Sequence, residues 1–263
     1  MSEQIEAPNQ QTLTIHQDID LGVEHHNAGR LPEAERIYKR VLQAEPEHPV
    51  ALHLLGVVAH QSGENDIATD LIGKALAIKP EFPEAHYNLG IVLREQGKLD
   101  EAVASYRQAL AIKPEYADAH TKLAAVLYEQ GKLDDAIASY HNVLALKPDF
   151  AEVYNNLGLA LQEQEKLDDA VASYQKALAI MPICAEAHYN LGNVYKSQGK
   201  LFDAVARYEQ ALTIAPSLVE ARHNLGNVLL MQGNISAGLD QARKSRGVIE
   251  FRSEIKIGYE ILH

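Results

Sequence analysis

The stretch EAHYNLGIVLREQGKLDEAVASYRQALAIKP (residues 84–114) decides the fold of this 263-residue chain. Its apolar residues fall three or four apart on both sides of Gly97, as expected for two helices that each bury one stripe. Gly97 separates the two stripes, and Pro114 ends the second because proline cannot continue a helix. The stretch therefore predicts a helical hairpin.

The same pattern returns along the chain every 34 residues. The interval is marked by Pro46, Pro80, Pro114, Pro148, Pro182 and Pro216. If this proline is the thirty-second place of a repeat, the first repeat begins at Ile15. The seventh place is then always Leu, the eighth and twentieth are small, and the twenty-fourth is usually Tyr. Seven hairpins are predicted, at 15–48, 49–82, 83–116, 117–150, 151–184, 185–218 and 219–246.

Three features of the hairpin carry local predictions. Small residues at the eighth and twentieth places should let the two helices approach closely, with the tyrosine filling the space beside them. Glu165 replaces the glycine between the helices in the fifth repeat, so that turn is expected to be either less sharp or, if a positive φ is needed, strained by roughly 1 kcal/mol. Four aspartates should cap the second helix and favour its positive end. They are Asp66, Asp100, Asp134 and Asp168.

The pattern resembles the tetratricopeptide repeat over about residues 15–246. This resemblance implies an all-α fold, a right-handed superhelical α-solenoid of about seven helix-turn-helix units whose first helices line a concave groove. Stacked hairpins stabilise their neighbours, so function is expected on the groove. We expect residues 1–14 to be a disordered polar segment. We expect residues 247–263 to form a cap, although helical and strand-like spacings both occur there.

The composition argues against several classes of function. The 24 Lys plus Arg against 36 Asp plus Glu give a formal charge of -12, so nucleic-acid binding is not expected. No apolar stretch approaches the roughly 20 residues of a membrane span. The polar opening lacks the regions of a secretory signal, and we therefore predict a cytoplasmic protein. Cys184 is the only cysteine, so stability must come from packing.

The sequence contains no recognisable active site. The motifs H-E-x-x-H, G-x-S-x-G and G-x-x-x-x-G-K-[ST] are absent. His86, His120 and His188 share the fourth place, but they are at least one repeat apart and cannot converge within roughly 2 Å of one metal ion. Packing between repeats is the better interpretation. We predict that the chain is not an enzyme and holds no cofactor or metal.

The sixth place adjoins the buried seventh place, on the helix that faces the groove in the family. It reads Asp20, Leu54, Asn88, Lys122, Asn156, Asn190 and Asn224. A carboxamide can hold both the C=O and the N–H of a passing backbone. Successive first helices should lie roughly 10 Å apart, which is about the length of three residues of an extended chain. One asparagine per repeat could therefore contact every third residue of such a chain.

The four asparagines resemble the asparagine ladder of O-linked N-acetylglucosamine transferases, with Lys122 as an interruption. Under that hypothesis their replacement by Ala leaves the fold intact, because no buried bond is broken. The alternative is that the asparagines satisfy neighbouring helices or face water.

The predicted peptide-binding groove has an acidic edge. The groove residues are Asn88, Lys122, Asn156, Asn190, Asn193, Asn224 and Asn227. The edge, at the second place, is Glu84, Asp118, Glu152, Glu186 and Glu220. Such an edge favours basic or neutral segments, and a merely solvated edge is the alternative. The carboxylate clamp that holds chaperone tails in this family is rejected, because Tyr189 stands where Lys is required.

These patterns predict a non-catalytic scaffold that binds a protein or extended peptide, neutral or basic, partly through an asparagine ladder. Self-association is left open. The alternative is the substrate-recognition part of a glycosyltransferase-like enzyme whose catalytic domain is absent from this chain. A nucleotide-sugar domain is too large for residues 247–263, so neighbouring coding sequence would distinguish the two.

Overall fold

The computed structural model describes residues 10–246, and this range contains fourteen α-helices and no strand. The helices are α1 Gln10–Asn27, α2 Leu31–Ala44, α3 Pro49–Gln61, α4 Asn65–Ile78, α5 Pro83–Glu95, α6 Leu99–Ile112, α7 Ala117–Glu129, α8 Leu133–Leu146, α9 Ala151–Glu163, α10 Leu167–Ile180, α11 Ala185–Ser197, α12 Leu201–Ile214, α13 Val219–Met231 and α14 Ile235–Arg246. The predicted all-α repeat of helix pairs is confirmed. Helix α1 begins upstream of the predicted start at Ile15, and the predicted cap at 247–263 lies outside the described residues.

The helices group into two compact units. Unit 1 ends at Gly131 and unit 2 begins at Lys132. In unit 1, α3 contacts α5 and α5 contacts α7; in unit 2, α9 contacts α11 and α11 contacts α13. Each of these is the first helix of its hairpin. We call the surface formed by α3, α5 and α7 in unit 1, and by α9, α11 and α13 in unit 2, the first-helix face of that unit.

Within a hairpin, the two helices meet where a glycine of the first faces a tyrosine of the second. Tyr106 and Tyr174 are completely buried. A Cβ atom added at Gly90 or Gly158 would lie 2.6 Å from Cε1 of the facing ring, closer than real Cβ contacts allow. The predicted close approach, with tyrosine filling the space beside small residues, is confirmed.

The turn between the two helices requires a left-handed residue. Gly97, Gly131 and Gly199 have φ values of 74°, 70° and 73°. Glu165 adopts the same region with a φ of 59°. The condition for strain at Glu165 is therefore met, because residues with a Cβ disfavour this region.

The aspartates at the start of the second helices do not cap those helices. The N-cap positions are held by residues such as Lys98 and Lys166, without a side-chain cap hydrogen bond. Each aspartate instead accepts a hydrogen bond from a glutamine of the following repeat. These aspartate–glutamine bonds join Gln96 Nε2 to Asp66, Gln130 to Asp100, Gln164 to Asp134 and Gln198 to Asp168, at 3.0, 3.0, 2.8 and 2.9 Å. The capping prediction is wrong, although the carboxylates do lie in the first turn, where the helix dipole favours them.

The sixth hairpin lacks this bond. Phe202 occupies the place of the aspartate and is 84% exposed. Gln232 stands where the bonding glutamine would be, and its Nε2 atom is buried without a hydrogen-bond partner among residues 10–246. The last described hairpin is therefore joined to its neighbour without the contact that links the second to the sixth hairpins.

Candidate functional site

On the first-helix face of unit 1, Asn88 pairs with a buried histidine. Its amide nitrogen on α5 lies 2.7 Å from Nε2 of His53 on α3. An amide nitrogen can only donate, so His53 accepts and its ring is neutral. Burial, which leaves His53 5% exposed, lowers the pKa of this histidine to about 4. Asn88 therefore ties two neighbouring first helices together.

The other predicted residues of unit 1 are more accessible. Lys122 on α7 is half-buried and has no ion-pair partner within the described part of the chain. At the edge, Glu84 lies 3.6 Å from Lys113 Nζ, an exposed pair with little effect on stability. Asp118 is exposed on the first turn of α7.

The first-helix face of unit 2 contains a buried asparagine pair. Asn190 on α11 donates to Asn155 Oδ1 on α9 at 3.1 Å, and each is 6% exposed. Asn155 in turn donates to Glu186 Oε1 at 3.1 Å. The expectation that no buried bond depends on the asparagines is therefore wrong at Asn190. This residue satisfies a neighbouring helix, which was the alternative interpretation.

Sequence reasoning missed Asn155, which stands at the fifth place of its repeat. Fifth-place and sixth-place residues of consecutive repeats are 35 residues apart, and the same spacing joins His53 to Asn88 and Tyr189 to Asn224. Polar residues at this separation were a signal available in the sequence. They indicate contacts between successive first helices.

Asn193, Asn224 and two tyrosines form a second network in unit 2. Asn193 Oδ1 accepts from Asn224 Nδ2 at 2.9 Å and from the Tyr208 hydroxyl at 2.8 Å. Asn224 Nδ2 also lies 3.4 Å from the Tyr189 hydroxyl. Within the described residues, Asn193 Nδ2 and Asn224 Oδ1 have no hydrogen-bond partner. Asn193 thus keeps one donor, and Asn224 one acceptor, that no described residue engages.

The remaining predicted groove residues of unit 2 differ in their contacts. Asn156 is half-buried, and its side chain makes no hydrogen bond with any residue that the structure describes. Asn227 is exposed and donates to His223 Nε2 at 3.0 Å, one turn earlier on α13. The edge residues Glu152 and Glu220 are exposed on the first turns of α9 and α13.

An open pocket of about 400 Å³ lies beside this network. It is lined by Tyr189, Val219, Glu220, His223, Asn224 and Ser245. Three helices, α11, α13 and α14, contribute to its wall. The pocket contains one predicted groove residue, Asn224, and one predicted edge residue, Glu220.

The fourth-place histidines bind backbone. Nε2 of His86, His120 and His188 lies 2.9, 3.0 and 3.2 Å from the carbonyl oxygens of Pro80, Pro114 and Pro182. A carbonyl only accepts, so each histidine donates to the end of the preceding repeat. Arg222 donates to the Pro216 carbonyl in the same way. Packing between repeats is confirmed as the role of these histidines.

Family models of the tetratricopeptide repeat match most of this chain. Models described as TPR repeat or tetratricopeptide repeat match residues 26–89, 90–131, 125–165, 149–217 and 189–247. No protein with curated annotation has a significantly similar sequence. No helix in residues 10–246 is long and apolar enough to cross a membrane.

The solved structures that are similar to this chain include MamA, PilW and YrrB. MamA is 31% identical with a TM-score of 0.57, over 60% of this chain and 93% of MamA. PilW, described as a type IV pilus biogenesis factor, is 22% identical with a TM-score of 0.69, over 84% of this chain and 100% of PilW. YrrB, described as a TPR protein with an unusual peptide-binding site, is 22% identical with a TM-score of 0.64, over 71% and 96%. At 22% identity the last two show the fold alone.

Proposed function

The chain belongs to the tetratricopeptide repeat family, and we propose that it is a non-catalytic scaffold that binds an extended polypeptide on its first-helix face. The observation that carries this proposal is the Asn193–Asn224 pair of unit 2. The 2.9 Å bond between them leaves the Asn193 amide nitrogen and the Asn224 carbonyl oxygen without partners among the described residues. A polypeptide backbone offers the complementary C=O and N–H on every residue other than proline.

In this proposal the asparagines divide into two groups. Asn88 and Asn190 hold neighbouring first helices in place. They affect polypeptide binding only indirectly, by fixing the positions of those helices. The residues that bind polypeptide backbone directly are Asn156, Asn193, Asn224 and Asn227. Hydrogen bonds to the backbone do not involve the side chains of the bound polypeptide. Their contribution to binding is therefore independent of its sequence.

The charge of the face supports a neutral or basic segment. Glu152 and Glu220 are exposed at its edge, and the chain as a whole carries a formal charge of -12. An acidic surface repels acidic segments and accelerates the approach of basic ones, more strongly at low salt. The described peptide-binding site of YrrB supports peptide binding by a repeat of this fold, while the bound sequence is expected to differ.

The test is a titration of labelled twelve-residue peptides of basic, neutral and acidic composition, followed by fluorescence anisotropy. Asn156→Ala is the main variant, because its side chain has no hydrogen bond to lose among the described residues. Asn142→Ala is the matched control, because Asn142 is exposed on α8, the second helix of its hairpin. Each backbone bond lost should cost about 0.5–1.5 kcal/mol of binding free energy.

We expect Asn156→Ala to weaken every bound peptide by a similar factor and Asn142→Ala to weaken none. Asn224→Ala should act in the same direction, with circular dichroism and thermal melting used to verify its fold. If no peptide of any composition binds the parent chain, or if Asn156→Ala and Asn224→Ala both bind as the parent does, the proposal fails.

A further inference from the structure

The pocket beside Asn224 presents hydrogen-bond acceptors. Asn224 Nδ2 is already engaged with Asn193 and Tyr189, so the side chain offers only its carbonyl oxygen. The Ser245 hydroxyl donates to the Ala242 carbonyl at 2.9 Å, which leaves its lone pairs free to accept. The Glu220 carboxylate accepts only. A group with several donors complements these three acceptors.

The pocket also carries an unbalanced negative charge. Glu220 has no ion-pair partner within residues 14–245. Two cations close to the pocket in the sequence are engaged elsewhere, since Lys244 pairs with Asp240 at 2.6 Å and Arg222 donates to the Pro216 carbonyl. His223 accepts a hydrogen bond from Asn227 at Nε2. A cation that enters the pocket would meet an unpaired carboxylate.

The remaining walls suit the stem of a long side chain. Val219, the first residue of α13, is 52% exposed and offers an aliphatic surface. The ring of Tyr189 lines the pocket from α11. Arginine lays its methylene groups along apolar surface and its planar guanidinium on aromatic rings, while five N–H donors reach separate acceptors. A lysine ammonium has three donors at one point, which fits acceptors spread over three helices less well.

We propose that the pocket formed by Tyr189, Val219, Glu220, Asn224 and Ser245 is an arginine subsite, which seats one arginine side chain of a polypeptide lying on the first-helix face. This inference rests on the proposed function and adds to it. The asparagines would bind the polypeptide backbone whatever its sequence. The subsite would determine which segment of the polypeptide binds. The bound segment would therefore contain at least one arginine.

The experiment uses the full chain and a probe that needs no knowledge of the natural partner. N-acetyl-L-arginine amide is titrated against the isotopically labelled protein, with backbone amide shifts as the readout. N-acetyl-L-citrulline amide, which has nearly the same shape without the charge, is the matched ligand. Glu220→Gln removes the carboxylate, and Glu209→Gln makes the same change at an exposed residue of α12, a second helix that lies outside the first-helix face.

We expect the arginine compound to shift the amides of Val219, Glu220 and Ser245, with an affinity at least tenfold higher than that of the citrulline compound. Glu220→Gln should abolish that difference, and Glu209→Gln should keep it. Equal binding of the two compounds to the parent would overturn the proposal. A difference that persists in Glu220→Gln would do the same.

A peptide pair separates this outcome from failure of the proposed function. Two otherwise identical twelve-residue peptides carry arginine or citrulline at one central position. If Asn156→Ala weakens both peptides while the parent does not prefer arginine, the subsite is wrong and the scaffold function stands. If the single-residue probe binds the pocket as expected but Asn156→Ala weakens neither peptide, the subsite stands and the proposed backbone contacts are wrong.

Discussion

Asn190 donates a 3.1 Å hydrogen bond to Asn155, and the two side chains are each only 6% exposed. A residue at a place that faces the groove in this family thus has its amide committed inside the protein. The bond joins α11 to α9, which are consecutive first helices of unit 2. The same place in the preceding repeat, Asn156, has no such bond to a described residue. Residues that look equivalent in sequence therefore differ in what they stabilise.

Replacement of Asn190 by Ala should destabilise the protein by about 1–3 kcal/mol, because Asn155 Oδ1 would remain buried without its donor. Asn156→Ala should be neutral or slightly stabilising, because Ala is the better helix former and no described bond is lost. Urea denaturation followed by circular dichroism measures both. Equal midpoints for Asn190→Ala and the parent would show that the buried bond contributes nothing.

Unit 1 should lose stability in mild acid because of His53. Its pKa is lowered by burial to about 4 in the folded chain, against 6.5 for an exposed histidine, so the unfolded chain binds more protons between these values. Stability from His53 is complete above pH 6.5 and is lost as the pH falls towards 4. The loss between pH 7 and 5 is about 2 kcal/mol at 1.36 kcal/mol per pKa unit.

The measurement for His53 is the urea midpoint of the parent and of His53→Gln across this pH range. His141→Gln is the control, because His141 is exposed on α8. The parent and His141→Gln should lose stability more steeply towards pH 5 than His53→Gln does. Parallel curves for all three proteins would mean that His53 titrates normally.

Glu165→Gly should stabilise the protein by about 0.5–1 kcal/mol. Glu165 holds a φ of 59°, which a residue with a Cβ adopts only at a cost, whereas glycine adopts it freely. The melting temperature should rise. Gly199→Ala, at the same place of the next hairpin with a φ of 73°, should lower it. If neither temperature moves, the left-handed turn carries no strain.

Phe202→Asp should complete the missing aspartate–glutamine bond. The carboxylate would stand where Asp168 stands in the preceding hairpin, within reach of the buried Gln232 Nε2 that has no partner. We expect a gain of about 1 kcal/mol, since a bond to a charged group contributes more than a neutral one but part of it is exposed to solvent. Phe202→Ala removes the exposed ring without adding an acceptor and should leave stability nearly unchanged. A Phe202→Asp protein no more stable than Phe202→Ala would refute the prediction.

The hairpins and their core were predictable because they depend on a period that the sequence repeats many times. Leu191, Ala204 and Tyr208 are buried as their places require. Contacts between repeats were harder to predict, because a polar side chain can bond either to its own helix end or to a residue of the next repeat. Asp100 at a helix start looked like a cap, yet its partner Gln130 comes from the following repeat.

The candidate site was predictable only in outline. Position along a helix identified Asn190 and Asn224 as neighbours of buried leucines, but it could not say which amide atoms would be engaged. The amide atoms that are engaged depend on where the preceding first helix places the bonding partner. Asn155 lies 35 residues before Asn190, and Asn193 lies 31 residues before Asn224. The pocket at Val219 depends on three helices at once, so no single repeat in the sequence signals it.

The contact between Gly90 and Tyr106 also limits how such a chain can diverge. A methyl group on Gly90 would collide with the Tyr106 ring, so the ring must shift or become smaller before the glycine can gain a side chain. In the fourth repeat, Ala124 and Tyr140 occupy the same two places, so the pair is not restricted to glycine and tyrosine in every hairpin. Substitutions at these two places are therefore expected to be coupled over evolutionary time, because the effect of a change at one place depends on the residue at the other.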